Sequence, residues 1–94
     1  MTSLVKDAFS KIKAITGVTA IDASADSITV NGQPITFQCV TGNIWINPLG
    51  VTAVANTTAL KLTAGQALDL VVGTTLSIIS DGTGGTYQII FWDL

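Results

Sequence analysis

The fold this 94-residue chain predicts is mainly β: a compact antiparallel β-sandwich, jelly-roll-like, with one N-terminal amphipathic helix. Three observations carry that expectation. The apolar residues recur at helical spacing only near the N-terminus and change to short alternating or apolar runs from Val18 onward. Those runs are rich in Thr, Ile and Val and are punctuated by Gly, Asn, Asp and Pro, which gives about seven or eight short strands at roughly ten-residue spacing. No later segment offers the crossover helices that a parallel α/β sheet needs.

The helix is expected over residues 3–15. Val5, Ala8, Phe9, Ile12 and Ile15 fall on one face, with Lys6, Lys11 and Lys13 mostly off it. Thr2 or Ser3 can cap its first amides, Asp7 lies near the favourable end of its dipole, and Gly17 is a natural stop. An isolated helix of this length is marginal in water, so its apolar face must pack on the chain's own β-domain or on a neighbour. The organisation expected is therefore 1–17 as a packing or docking element and 18–94 as a single β-sandwich domain.

The strand candidates follow in order. They are Val18 to Ile21, Ser27 to Val30, Ile35 to Val40, Ile44 to Ile46, Ala59 to Leu62, Leu68 to Val72, Leu76 to Ser80 and Thr86 to Trp92, with Val51 to Val54 as another short strand or an extended loop. Asn31-Gly32 suits a tight hairpin turn with positive φ, and Pro34 belongs at the first position of the strand after it. Thr41-Gly42-Asn43, Thr63-Ala64-Gly65-Gln66 and Asp81-Gly82-Thr83-Gly84-Gly85 read as further turns. Several strands carry apolar residues on both faces. Trp45 opposes Ile44 and Ile46, and Trp92 opposes Ile89 and Phe91 across the strand plane. One face serves the core, and the other needs cover from the helix, a subunit or a partner.

Composition restricts the chemistry. The chain has no His, no Arg and no Glu, and a single cysteine, Cys39. A Ser-His-Asp triad, a Cys-His pair and a His/Cys zinc site are excluded within it. Cys39 has no disulfide partner and reads as a small buried hydrophobe. Asp22 and Asp26 flank a polar loop and read as turn aspartates, and the glycine-rich segment at 81–85 lacks the ligand pattern of a calcium loop and the Lys-Ser/Thr of a phosphate loop. The expectation is no enzyme, no catalytic residue, no metal and no cofactor. Charged residues are only 11% of the chain, against roughly 25% for a typical domain, and the net charge is −2. With no basic stripe, nucleic-acid binding is not expected. No apolar run reaches about 18 residues, so no membrane span is expected, and the N-terminus lacks the regions of a signal peptide. Trp45, Tyr87 and Trp92 would make a sugar-stacking platform if the fold brought them together beside polar groups.

Three stretches carry a resemblance: Val40-Thr41-Gly42-Asn43-Ile44-Trp45-Ile46-Asn47, the run from Leu60 through Gly65 to Leu70, and Ser80-Asp81-Gly82-Thr83-Gly84-Gly85-Thr86-Tyr87-Gln88-Ile89. Together they resemble small β-sandwich proteins of tailed bacteriophage virions. The resemblance implies a capsid decoration (cement) subunit on the outer surface of a phage head, made in the host cytoplasm. Its implied partners are further copies of itself, as a homotrimer, and the major capsid protein or another virion protein. The alternatives are a tail, neck or fibre component, and a carbohydrate or host-surface binding module. On any of these readings the interface candidates are Phe9, Ile12 and Ile15 on the helix, with Trp45 and Trp92 on the second sheet face.

Overall fold

Two long strands organise the molecule. In a computed structural model, which describes residues 12–49, 52–55, 57–71 and 73–93, the elements are β1 (Ile12–Ile15), β2 (Thr19–Ile21), β3 (Asp26–Thr29), β4 (Pro34–Asn47), β5 (Leu60–Thr63), β6 (Ala67–Val71) and β7 (Thr75–Trp92). β4 and β7 run antiparallel beside each other from Ile35 opposite Phe91 to Asn47 opposite Ser77. β1 and β2 flank the C-terminal half of β7, and β3 flanks its N-terminal half. On the other side, β6 flanks the first half of β4 and β5 its second half. The result is a sheet four rows wide whose pairings are all antiparallel.

Every row breaks at the same level. β4 and β7 shift register between Cys39 and Thr41 and again between Gly42 and Ile44. Such bulges bend a strand and raise its twist. Gly42 (φ 73°) and Gly84 (φ 76°) adopt the left-handed backbone that favours glycine. A Cβ on Gly42 would clash with the Gly84 carbonyl oxygen and lie 2.9 Å from the Gly85 Cα, so the two strands cross the corner in direct backbone contact. In the outer rows, the segment between β2 and β3 tracks the corner through Ser80 N–H donating to Asp22 O at 2.8 Å. The turn between β5 and β6 does so through Cys39 N–H donating to Gln66 O at 2.9 Å and Gly65 N–H donating to Cys39 O at 2.8 Å.

The corner folds the two halves onto one core. Ile35, Phe37, Cys39, Tyr87 and Ile89 from one half and Ile44, Ile46, Leu62, Leu76 and Ile78 from the other belong to a single buried cluster. Phe37 and Tyr87 stack across the β4–β7 pair with ring centroids 5.3 Å apart. This is the expected antiparallel sandwich. Among the described strands no ladder joins the two edge rows, so the expected jelly-roll closure is not formed.

Three further expectations are corrected. Ile12 and Ile15 lie on strand β1 and not on a helix, and no described residue is helical. The β-branched residues of Ile12-Lys13-Ala14-Ile15-Thr16 fit a strand, and the β7 edge offers them a ladder, with Thr16 N–H donating to Ile89 O at 2.9 Å. A bulge at Lys13, between the pairs Ile12–Trp92 and Ala14–Phe91, keeps both isoleucines on one face and imitates helical spacing in the sequence. Phe9 and the rest of the expected helix lie outside the described residues. Next, Thr41-Gly42-Asn43 and Asp81 to Gly85 do not separate strands; they are the corners within β4 and β7. Last, Asn31 (φ 52°) and Gly32 (φ 74°) do form the tight turn, closed by Gln33 N–H donating to Val30 O at 3.1 Å. The strands it joins do not pair: β3 lies against β7 in one half and β4 starts in the other. The turn therefore carries the chain between layers.

Candidate functional site

The outward faces of the two layers differ. On the layer holding Ile44 and Ile46, Trp45 points outward beside Lys61 and Ile79, its register partners. It is nevertheless only 5% exposed, and with Ala53 it is buried apart from the core cluster. The segment after β4 folds back over this face. Ala53 N–H donates to Ser77 Oγ at 2.9 Å, Thr58 Oγ donates to Thr52 O at 2.9 Å, and the Asn47 side-chain amide donates to Thr58 O. The Lys61 ammonium sits 5.5 Å from the centre of the Trp45 ring. Trp45 is thus covered by its own chain.

The outward face of the other layer is different. Ile12 pairs with Trp92 and Ile15 with Ile90, so these four side chains share one side of the sheet. Ile15 is 54% exposed. Three of the five interface candidates, Ile12, Ile15 and Trp92, are brought together in this way, although by a strand ladder. Tyr87 is in the core against Phe37, so the three-aromatic platform does not form. Trp92 alone remains half-exposed.

Trp92 is held in a fixed pose. Its Nε1–H donates to Thr36 Oγ at 2.8 Å, and the Thr36 hydroxyl donates to Asp69 Oδ1 at 2.5 Å. Thr36 faces Asp69 in the β4–β6 ladder and Ile90 in the β4–β7 ladder, so the indole of the last β7 row reaches diagonally across β4 towards β6. Beside it lies a cleft of about 330 Å³ lined by Pro34, Ile35, Asp69, Leu70, Val71 and Trp92. Val71 is 76% exposed. An aromatic wall, the exposed Val71 and one carboxylate are the parts of a site for a ligand with both C–H faces and polar groups. Thr36 and Asp69 were not among the expected site residues. Alternation in β6 does place Asp69 on the side opposite Leu68 and Leu70, but only the register brings it to Thr36 and Trp92.

The space between the layers offers no comparable chemistry. Cys39 is buried there, with Sγ 3.4 Å from Gly42 O, and burial pushes its thiol above the ordinary value, partly offset by the Ile44 backbone. Burial likewise raises the Tyr87 phenol, helped by the Asp26 charge and opposed by the Thr19 side chain. A metal held in such an interior needs converging imidazole or carboxylate ligands. The chain has no His and no Glu, and the described residues hold no group of three His, Cys, Asp or Glu side chains arranged for an ion. The residues present do not fit a resident metal.

The fold and this cleft define a small two-layer antiparallel β-domain whose interior is packed and whose polar site lies on an outer face. Three solved structures of similar fold are bacterial proteins. The protein NMB1881 from Neisseria meningitidis superposes with a TM-score of 0.60 at 10% identity over 85% of this chain and 82% of that one. A cupin-2 domain containing protein from Shewanella frigidimarina gives 0.57 at 13% identity over 92% and 89%. The plu4264 protein from Photorhabdus luminescens gives 0.57 at 14% identity over 83% of this chain and 64% of that one. At such identities the likeness is one of fold. No family model matches the chain, and no curated protein matches it significantly in sequence.

These comparisons overturn the resemblance to tailed-phage virion proteins, and with it the capsid decoration role, the tail, neck or fibre alternative and the location on a phage head. The physical reason is visible in the residues that carried it. Thr41-Gly42-Asn43 and Asp81 to Gly85 are corner chemistry, which a bent two-layer β-fold requires whatever its role.

Proposed function

We propose that the chain is a carbohydrate-binding module whose site is the cleft beside Trp92. The observation that carries this reading is the hydrogen-bonded series Trp92–Thr36–Asp69, which fixes an aromatic ring beside a carboxylate on an outer face. A sugar ring offers C–H groups to the indole and hydroxyl donors to the carboxylate, so one ligand satisfies both walls. Pre-orientation of the indole lowers the entropy lost on binding. We read the Thr36–Asp69 pair as an orienting one, because the Thr36 hydroxyl oxygen also accepts from Trp92 Nε1–H.

The test is a glycan panel titrated by tryptophan emission and calorimetry. Trp45 is buried in the other layer, so a ligand at the cleft should perturb Trp92 selectively. Trp92→Ala is expected to weaken binding by about 2 kcal/mol, roughly thirtyfold in Kd, without unfolding the domain. Binding that survives Trp92→Ala unchanged would place the ligand elsewhere and end this reading.

A further inference from the structure

The cleft's side chains have spent their donors. The Trp92 Nε1–H is given to Thr36, and the Thr36 hydroxyl proton to Asp69 Oδ1. Pro34 has no N–H and Val71 is exposed beside it, whereas Ile35 and Leu70 turn their side chains to the core. Among the described residues, Asp69 Oδ2 has no side-chain or turn hydrogen bond, and an ionised carboxylate only accepts. The cleft's side chains therefore ask the ligand for a donor and offer none in return.

Charge sharpens the demand. Among the described residues no cationic side chain lines the cleft, and Lys6 and Lys11 lie outside them. Lys61 is engaged with Trp45 on the other layer. Lys13 is on β1, three rows from β6, about 14 Å away by strand spacing. Asp93 follows Trp92 directly and adds a second negative charge near the same end of the sheet. An anionic ligand meets repulsion here, whereas a cation gains from both the carboxylate and the indole face.

Resting on the carbohydrate reading above, we infer that the ligand class is a cationic amino sugar, a hexosamine with a free amine. Its ammonium pairs with Asp69 Oδ2 while the ring lies against Trp92. An N-acetylated sugar turns that ammonium into a neutral amide, and a uronic acid replaces it with a like charge.

The experiment titrates the full chain with three oligosaccharides of equal length: β-1,4-linked glucosamine, its N-acetylated counterpart, and galacturonic acid. The glucosamine oligomer is expected to bind about tenfold more tightly than the N-acetylated one, and the uronate not at all. Asp69→Asn should erase the preference, added salt should shrink it, and Asp22→Asn, in a separate cleft, should leave it intact. Equal or tighter binding of the N-acetylated or uronate oligomer overturns the amine assignment and leaves the carbohydrate reading standing. So does a preference that survives Asp69→Asn or falls equally with Asp22→Asn. Binding of none of the three, with a wider glycan panel also silent, overturns both.

Discussion

The indole N–H of Trp45 is buried with no hydrogen-bond partner among the described residues. A buried donor left unpaired costs about 1–3 kcal/mol, because water's hydrogen bond is lost and nothing replaces it. The ring itself brings a large apolar area and a cation–π contact with Lys61. These effects have opposite signs, and two substitutions separate them. Trp45→Ala removes the ring and is expected to destabilise the fold by about 3–5 kcal/mol. Trp45→Phe keeps an aromatic face and deletes the unpaired donor, so it should fall within about 1.5 kcal/mol of the parent. Denaturant unfolding of both variants checks this, and a Phe variant as unstable as the Ala variant would mean that the N–H is satisfied in solution. The contrast with Trp92 is instructive. Both indoles point away from the core, but one lies under the returning segment at Ala53 and Thr58 and the other has its N–H paired and stays partly exposed. Alternation in the sequence puts both on the second face; which one stays accessible depends on where a loop returns.

At the scale of elements, the corner of β4 and β7 is the most demanding feature. Gly42→Ala is expected to cost about 2–5 kcal/mol, combining about 1–2 for a side chain at positive φ with about 1–3 for overpacking against the Gly84 carbonyl. Gly65→Ala, also at positive φ but with open space around its Cβ, should cost only the first part, and the difference in unfolding midpoint measures the contact. Asp81 serves the same corner. The Thr83 hydroxyl, then the Asn43 amide and the Thr83 backbone N–H, hold its carboxylate below the ordinary value of 3.8. A lowered folded pKa means that the ionised form is favoured by folding. This contribution is fully present above the ordinary value and is lost as pH falls through the lower folded one. Asp81→Asn should therefore flatten the fall of Tm between about pH 4 and 2 while changing little at pH 7; an unaltered acid limb would remove Asp81 from the account. Most of the strand segments, the Asn31-Gly32 turn and the burial of Cys39 were legible in the sequence because they depend on local conformational preference and alternation; residues 52–54 of the Val51 to Val54 candidate are the extended loop. The corners were not. Glycine in a bent strand and glycine in a turn make the same local demand, and only the pairing of Gly42 with Gly85 distinguishes them. The strand at Ile12–Ile15 was missed for a related reason: a bulge at Lys13 spaces its apolar residues like a helix.

For the whole molecule, the arrangement of the long strands determines how it comes apart. A sandwich made of two separate sheets can lose one layer while retaining part of the other. Here β4 and β7 each pass through both layers, and the core draws its members from both halves of each strand. Opening one layer exposes the inner face of the other and strips the corner of its backbone contacts, so no half retains a core. The same long-range pairing explains why the candidate site was only partly readable. Trp92 stood out as a large aromatic on a second face, but Thr36 lies 56 positions from it and Asp69 a further 33 from Thr36, and only register joins them. The two tryptophans make the cooperativity testable, because Trp92 reports on one layer and Trp45 on the other. In Trp45→Phe only Trp92 emits, and in Trp92→Phe only Trp45 does. Each single-tryptophan variant is followed through urea by its emission and, in the same samples, by far-ultraviolet circular dichroism. Within each variant the two probes should trace one transition with the same midpoint and slope, as an all-or-none domain requires. If emission changes before the dichroism in one variant but not in the other, the corner acts as a hinge and the layers are separate folding units.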